Sequence, residues 1–226
     1  MISGMRMALG AALCLGLAAC GNAPGRDVTA TSMVQAIVSA ITGGDESGTP
    51  DANVVAGQAA AALANSDGQV VILSIPERDV LTALQQIERN GEYVTFGSSD
   101  RRSLTLKHGV LTATRGLGYD LMSADVEEVS RLIRGRSEGA ARRINRYLDG
   151  ENLTRPLSPW CQIKLGPTTR VDLGMIRSDA VTVLESCAAD GVTFQNSYLV
   201  TPNGRIVQSR QWISPLNGYV TIQSLR

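Results

Sequence analysis

Four residues near the N-terminus have the types and spacing of a lipid-attachment signal. Residues 17–20 read Leu-Ala-Ala-Cys: a branched apolar residue, two small residues and a thiol. Arg6 supplies a positive charge in front of them, and the apolar stretch 7–17 is too short to span a bilayer as a mature helix. The pattern predicts a lipoprotein signal peptide over residues 1–19, in which the Cys20 thiol receives a diacylglyceryl group. The alternative is an ordinary signal peptide in which Cys20 has no part.

The predicted anchor also indicates where the chain resides. Two or three acyl chains on Cys20 would hold a protein durably on a membrane. Gly21, rather than Asp, follows the cysteine, which in enterobacterial-type sorting permits transfer to the outer membrane. We therefore expect a lipidated tether over residues 20–30 and a protein on the periplasmic face of the outer membrane. Sorting to the inner membrane stays open, because the rule varies between lineages.

Two further cysteines, Cys161 and Cys187, remain in the chain that follows the anchor. An exported protein folds in an oxidising compartment, so these two residues predict a disulfide. The alternative is two separately buried thiols.

Catalytic patterns are missing from the sequence. The single histidine, His108, is followed by Gly109 in what reads as an exposed hairpin turn, with no partner nearby to orient it for catalysis. No nucleophile elbow, phosphate-binding loop or zinc-ligand pattern occurs, so we expect no catalytic residue, no metal and no cofactor apart from the lipid on Cys20. A glycosidase needs only two suitably spaced carboxylates, and that class stays open.

Arginine and tryptophan offer candidate binding residues. Of the 21 basic residues 19 are arginines, and six of these lie between Arg131 and Arg146. This enrichment fits a GC-rich genome, or recognition of polymers that carry carboxylates or phosphates. Trp160 and Trp212 could stack on sugar rings, and Arg210 lies two residues from Trp212 on the same face of the predicted strand. The alternative for either tryptophan is that it fills the core.

Overall composition excludes two classes of protein. The 226 residues carry 21 basic and 21 acidic side chains, whereas an electrostatic nucleic-acid binder would show a basic excess. A hydrophobic content of 43% excludes a disordered chain.

The elements that must position these residues fall into two parts. Residues 31–68 read as a helical, alanine-rich segment: apolar residues in 31–42 recur at helical spacing, and alanines dominate 54–64. From residue 69 to 226, short β-branched runs alternate with turn signals such as Asn90-Gly91, which predicts a β-meander body.

One helix interrupts this body, with Ser123 as its N-cap. We expect a mainly β fold: a curved antiparallel meander sheet, sandwich- or half-barrel-like, with one or two short helices. The body could divide near residue 136 into two curved sheets.

Two stretches resemble the YjbF/GfcB family of group 4 capsule and exopolysaccharide lipoproteins. In residues 104–125, a strand ends in Thr-x-Gly-Leu and is followed by Asp-Leu, a pattern formed by Thr114, Gly116, Leu117, Asp120 and Leu121. In residues 198–215, a late strand carries Ser-x-Gln-Trp at 209–212. The contexts of Trp160-Cys161 and Glu185-x-Cys187 are also similar.

This resemblance implies an outer-membrane lipoprotein with a meander fold, encoded with machinery that makes or exports a surface polysaccharide. It carries over Cys20 as the lipid attachment residue and no catalytic residue. We therefore expect a non-catalytic accessory factor that contacts the polysaccharide or a secretion component such as an outer-membrane barrel, with no nucleic acid. The alternatives are a lipid or lipoprotein carrier with a β-sheet cavity, and a glycan-modifying hydrolase.

Overall fold

The computed structural model describes residues 52–226. The predicted signal peptide, the lipid attachment residue Cys20, the tether and residues 31–51 of the N-terminal segment lie outside the described residues.

The first described element is a helix, α1 (Ala52–Asn65), which covers the alanine-rich stretch. Alanine favours helix, and its small side chain lets the helix lie close against a neighbouring sheet. The buried residues Val55, Ala56, Ala59 and Ala62 pack in one cluster with Val70, Ile72, Leu81 and Leu225. The helix therefore covers part of the outer surface of the body.

Fourteen strands follow: β1 Val70–Ile75, β2 Val80–Asn90, β3 Tyr93–Gly97, β4 Ser103–Lys107, β5 Val110–Arg115, β6 Ser123–Asp125, β7 Gly139–Arg142, β8 Ile144–Leu148, β9 Thr154–Leu157, β10 Trp160–Leu173, β11 Ile176–Ala189, β12 Val192–Val200, β13 Ile206–Ser214 and β14 Gly218–Ser224. A short 3-10 helix, Pro76–Arg78, links β1 to β2. A second α-helix, α2 (Glu127–Gly135), lies between β6 and β7.

Eleven of these strands form one antiparallel sheet in the order β5-β4-β3-β2-β1-β14-β13-β12-β11-β10-β7. Most neighbours are consecutive in sequence and are joined by tight turns, as a meander requires. The predicted turn at Asn90-Gly91 joins β2 to β3, with Gly91 at φ +57°. The mainly β, curved antiparallel fold expected from the sequence is confirmed, and β5 and β7 at the two ends of the sheet are not paired with each other.

The first and last strands of the body join its two halves. β1 pairs with β14 in register Val71↔Ser224 to Ser74↔Thr221. The strands before and after residue 136 therefore belong to one sheet, rather than to two curved sheets divided near that residue. Three short strands, β6, β8 and β9, form a separate small sheet.

The helix α2 begins later than the sequence indicates. Ser123 was expected as its N-cap, but Ser123–Asp125 is the strand β6, which pairs with β8. The N-cap is Val126, and the Asp125 carboxylate accepts a hydrogen bond from the Glu127 amide at 3.2 Å. Strand pairing with β8 outweighs the capping preference of serine, so the helix starts at Glu127.

The concave side of the large sheet encloses the main core. Side chains from most strands and from α2 meet there in a continuous apolar cluster that includes Leu84, Phe96, Leu121, Ile133 and Ile213. Gln211 of β13 reaches across this core: its side chain accepts from the Leu111 amide at 2.8 Å and donates to the Gly109 carbonyl at 3.0 Å. The β4–β5 hairpin is thereby held against the opposite part of the sheet.

Candidate functional site

A cleft opens at the end of the sheet where β1 begins and β14 ends. It is bounded by the turns between β2 and β3, β4 and β5, and β12 and β13, and by the last turns of α2. Two adjoining depressions of about 340 Å³ and about 460 Å³ make up this cleft. We call it the arginine cleft, because its lining includes Arg89, Arg131, Arg134 and Arg205.

The four arginines give the cleft an excess of positive charge. Arg89 and Arg131 are exposed, whereas Arg134 and Arg205 are partly buried. Burial lowers the pKa of Arg205, which donates to the Arg226 carbonyl. Arg134 Nε donates to the Gly204 carbonyl at 3.4 Å. Guanidinium groups pair bidentately with carboxylates and phosphates, so such a lining suits an anionic ligand.

The two carboxylates that line the cleft are already engaged. Glu92 accepts from His108 Nε2 at 2.7 Å and contacts Lys107 Nζ at 3.2 Å. Glu127 contacts the same Lys107 nitrogen. Hydrogen bonds from His108 and Lys107 hold the pKa of Glu92 below its ordinary value, and the hydrogen bond to Glu127 raises the pKa of Lys107. The two acids therefore share one lysine as their cation, whereas the lining carries four guanidinium groups.

Ser130 adds an unsatisfied polar group to the cleft. Its side chain is 3% exposed, lines the depression beside α2, and its Oγ has no hydrogen-bond partner in residues 52–226. Buried hydroxyls are normally hydrogen-bonded, and an unpaired one costs about 1–3 kcal/mol. The Oγ atom lies beneath the lining of the cleft, so we assign it no contact with a ligand.

The turn between β12 and β13 depends on a glycine. Gly204 adopts φ +78°, and a Cβ at this position would lie 3.0 Å from the Arg134 carbonyl. Only glycine combines the left-handed backbone with this close approach. Gly204 therefore brings the turn against the end of α2, where Asn203 joins the lining.

The concave core holds a buried ion pair with polar neighbours. Arg143, between β7 and β8, is 1% exposed, and its Nη1 lies 3.0 Å from both carboxylate oxygens of Glu185, which is fully buried. Asn196 and Tyr198 each donate to Glu185 Oε2 at 2.7 Å. Asn145 accepts from Arg143 Nε at 3.2 Å. The acidic side chain thus receives several charge-assisted hydrogen bonds inside the core.

The electrostatics of this cluster follow from its burial. Desolvation opposes the charge of Arg143, but the adjacent Glu185 carboxylate outweighs it and the pKa of Arg143 is raised. Burial, followed by the charge of Glu185, raises the pKa of Tyr198 well above its ordinary value. Tyr147 donates to the Ile213 carbonyl at 2.6 Å, and burial raises its pKa to about 12. The cluster is closed to solvent, so we assign it a structural role.

Cys161 and Cys187 form a disulfide between directly opposed positions of β10 and β11. The Cys187 sulfur lies 3.5 Å from Glu185 Oε1. The disulfide therefore lies next to the buried ion pair and links β10 to β11 in the same part of the core.

The candidate binding residues do not come together. Trp160 is 62% exposed at the start of β10, whereas Trp212 is 7% exposed, stacks on Phe194 with ring centroids 4.6 Å apart and meets Tyr147 edge-on. Arg210 is exposed, with its guanidinium 3.4 Å from the centroid of the Tyr219 ring. Trp212 therefore fills the core instead of offering a face to a sugar, and none of the three lines the arginine cleft.

The arginine-rich stretch between Arg131 and Arg146 is dispersed by the fold. Arg131 and Arg134 line the cleft, whereas Arg143 is in the core. No pattern in the sequence marks Arg89 or Arg205, because the cleft is assembled from turns that are distant in the chain. The sequence could have indicated that Glu185 is buried, because the alternation of side chains along a strand places it on the same face as Cys187.

The chain belongs to the YjbF family of group 4 capsule polysaccharide lipoproteins (GfcB), whose model matches residues 37–225. The crystal structure of the hypothetical lipoprotein YmcC from Escherichia coli K12 is similar, with a TM-score of 0.63 at 16% identity, covering 76% of this chain and 95% of that one. That likeness shows the fold. An exported protein with a YmcC-like fold from Bacteroides fragilis NCTC 9343 gives a TM-score of 0.33 at 11% identity, covering 72% of this chain and 96% of that one. A comparison with curated protein sequences finds no significant match.

Within residues 52–226, no helix is long and apolar enough to cross a membrane.

Proposed function

We propose that this protein is an outer-membrane-anchored periplasmic lipoprotein that assists the production or export of a capsule or exopolysaccharide without catalysing a reaction. It holds acidic groups of the polysaccharide in the arginine cleft. The observation that carries this proposal is the cleft itself: four arginines line it, and the two carboxylates in the lining both contact Lys107, with Glu92 also accepting a hydrogen bond from His108. Membership of a capsule polysaccharide lipoprotein family supports a polysaccharide as the ligand, and the arginine lining supports acidic groups on it.

A lipid carrier fits the described structure less well. A carrier of the expected kind holds the acyl chain in an enclosed cavity of the β-sheet, but the concave side of this sheet is filled with side chains. The apolar cavity between Leu84, Leu104 and Ile213 has a volume of only about 10 Å³. Such a space is no larger than one water molecule needs.

A glycan hydrolase is not favoured by the carboxylates of the cleft. Glycoside hydrolysis needs one carboxylic acid with a raised pKa beside a second carboxylate. Glu92 and Glu127 share Lys107, and the pKa of Glu92 is lowered rather than raised. A carboxyl group whose pKa is lowered, as in Glu92, does not keep the proton that a leaving group requires.

Binding is tested with the purified chain 21–226, which lacks the lipid, and a polyuronate such as polygalacturonate as the probe. We expect saturable binding that the double variant Arg131→Gln/Arg134→Gln weakens by about tenfold or more. The matched control is Arg170→Gln, since Arg170 is an exposed arginine of β10 that pairs with Asp179 outside the cleft. Equal affinity of all three proteins, or no binding to the wild type, would contradict the assignment of the cleft.

The role in the cell is tested by deleting the gene and measuring surface polysaccharide. We expect less polysaccharide in the deletion strain, rescue by the wild-type gene, and poor rescue by Cys20→Ala. Unchanged polysaccharide after deletion would overturn the accessory role. Full rescue by Cys20→Ala would show that the lipid anchor is dispensable.

A further inference from the structure

An apolar groove lies at the end of the sheet opposite the arginine cleft. It has a volume of about 580 Å³ and is lined by the loop after β5, the end of β8 and the turn between β13 and β14. Three large apolar side chains are exposed there: Tyr119 at 68%, Leu216 at 55% and Leu148 at 42%. Exposed apolar residues grouped in this way mark a surface that something covers.

The groove is built into the fold rather than placed on a loose loop. Asn217 Nδ2 donates to the carbonyls of Gly118 and Tyr119, at 2.6 and 3.1 Å. Arg78, just after β1, donates to Asn217 Oδ1 at 2.7 Å and to the Leu117 carbonyl at 2.6 Å. These bonds fix the two loops of the groove to each other and to the end of β1.

The described part of the chain begins at this same end of the body. Residues 66–69 link α1 to the start of β1, so α1 runs back along β1 and its first turn points towards the end of β1. The cluster beneath α1 extends from Val70, the first residue of β1, to Leu81, which pairs with Ser74 near its end. From this direction of α1 we infer that Ala52, to which the preceding 51 residues connect, lies at the end of the body that holds the groove.

The sequence of that upstream chain contains an apolar stripe of suitable length. Met33, Ile37, Ala40 and Ile41 recur at helical spacing within residues 31–42. The family model matches the chain from residue 37, fifteen residues before α1. The nine residues 43–51 that follow the stripe could extend over about 30 Å, enough to cross one end of a domain of this size.

We propose that residues 31–42 dock into this groove, with Met33, Ile37 and Ile41 covering Tyr119, Leu148 and Leu216. This inference goes beyond the polysaccharide role and does not depend on it. The docked segment joins the chain from Cys20 to one end of the body. The arginine cleft is then at the opposite end of the body from the segment that leads to the lipid anchor.

Amide hydrogen exchange tests the docking directly. The chain 21–226 is compared with the deletion chain 43–226 and with the variant Ile37→Ser/Ile41→Ser in the longer chain. We expect exchange in residues 118–122 and 215–217 to become about tenfold faster in both altered proteins. Exchange in the β4–β5 turn at the opposite end should stay unchanged, which shows that the body remains folded.

Cross-linking gives a second, positional measurement. We expect a short bismaleimide to join Ile37→Cys to Leu216→Cys efficiently, and to join Ile37→Cys to the control Met175→Cys poorly, since Met175 is exposed in a turn bonded to Leu225 at the other end. Equal yields in the two pairs, or unaltered exchange in the deletion chain, would overturn the proposal. Binding of phosphatidylglycerol vesicles by chain 21–226 that Tyr119→Ser/Leu216→Ser abolishes would also overturn it, because the groove would then be open to a lipid surface.

Discussion

Arg143 and Glu185 form an ion pair inside a β-sheet core, with exposed fractions of 1% and 0%. The cost of removing two such charges from water is offset only when their remaining hydrogen-bonding groups are satisfied. In this core Asn196 and Tyr198 donate to the carboxylate, and Asn145 accepts from the guanidinium. The pair therefore couples β11 and β12 to the segment between β7 and β8.

Replacing one member of this pair should be severe. Arg143→Met leaves the Glu185 carboxylate buried without its cation, and we expect the free energy of unfolding to fall by about 3–5 kcal/mol. Urea denaturation followed by circular dichroism measures the change. The double variant Arg143→Met/Glu185→Gln should lose less than the sum of the two single variants. Strictly additive losses would show that the two side chains are not coupled.

The disulfide should stabilise the fold by restricting the conformations of the unfolded chain. Cys161 and Cys187 are 26 residues apart, for which the chain-entropy estimate is about 3.5 kcal/mol. We expect Cys161→Ala/Cys187→Ala to lower the free energy of unfolding by this order, and dithiothreitol to destabilise the wild type but not the variant. Equal sensitivity of both proteins to dithiothreitol would contradict this role.

Because Tyr147 is buried, the stability of the fold should depend on pH in the alkaline range. Its pKa is raised from 10.0 to about 12 by desolvation, so its neutral form is favoured in the folded state. The corresponding stability is fully present below pH 10 and is lost as the pH rises towards about 12. We expect a shallower decline of stability over this window in Tyr147→Phe, measured by urea denaturation. Tyr119→Phe is the control, since Tyr119 is exposed. An identical decline in wild type and Tyr147→Phe would refute the assignment.

Gly204 should be the most sensitive position of the β12–β13 turn. An alanine would have to adopt the left-handed region at a cost of about 1–2 kcal/mol and would crowd the Arg134 carbonyl. We expect Gly204→Ala to lower both the thermal midpoint and the affinity for polygalacturonate. Gly150→Ala is a matched control, because no atom lies within 4 Å of its added Cβ. Two variants that behave alike would show that this turn does not position the cleft.

Ligand binding in the arginine cleft should depend strongly on salt. Coulombic attraction between partly exposed charges is screened over about 10 Å at 0.1 M ionic strength and over about 3 Å at 1 M. We therefore expect the affinity for polygalacturonate, measured by titration calorimetry, to fall by about tenfold over this range. Binding that is indifferent to salt would instead indicate recognition of the sugar rings, with exposed Trp160 as the first residue to test.

Local parts of this fold were predictable, because hairpins are encoded within a few residues. Asn90-Gly91 and the alternating runs around it predict β2 and β3, and the structure has both strands. The pairing of β1 with β14 joins residues about 150 positions apart, for which no local signal exists. For the same reason the sequence suggested a division near residue 136, whereas long-range pairing joins both halves in one sheet.

The positions of the candidate site were not predictable from the sequence. The arginine excess fitted either a GC-rich genome or an anionic ligand, and the positions that form the cleft lie on turns brought together by the meander. The burial of Arg143 could not be predicted for another reason. It sits in a polar run, and a buried arginine is recognised only from its partner Glu185, which is 42 residues away.

The bonds that Gln211 makes to Leu111 and Gly109 also change the edge of the sheet. β5 is an edge strand, and an unpaired edge offers a row of amides and carbonyls on which a further strand can assemble. Gln211 occupies the Leu111 amide and the Gly109 carbonyl, and the Leu121 carbonyl occupies the Thr114 amide. These outward groups are no longer available as a template. The same glutamine that spans the core thus reduces the number of free backbone groups on which a neighbouring molecule could add a strand at this edge.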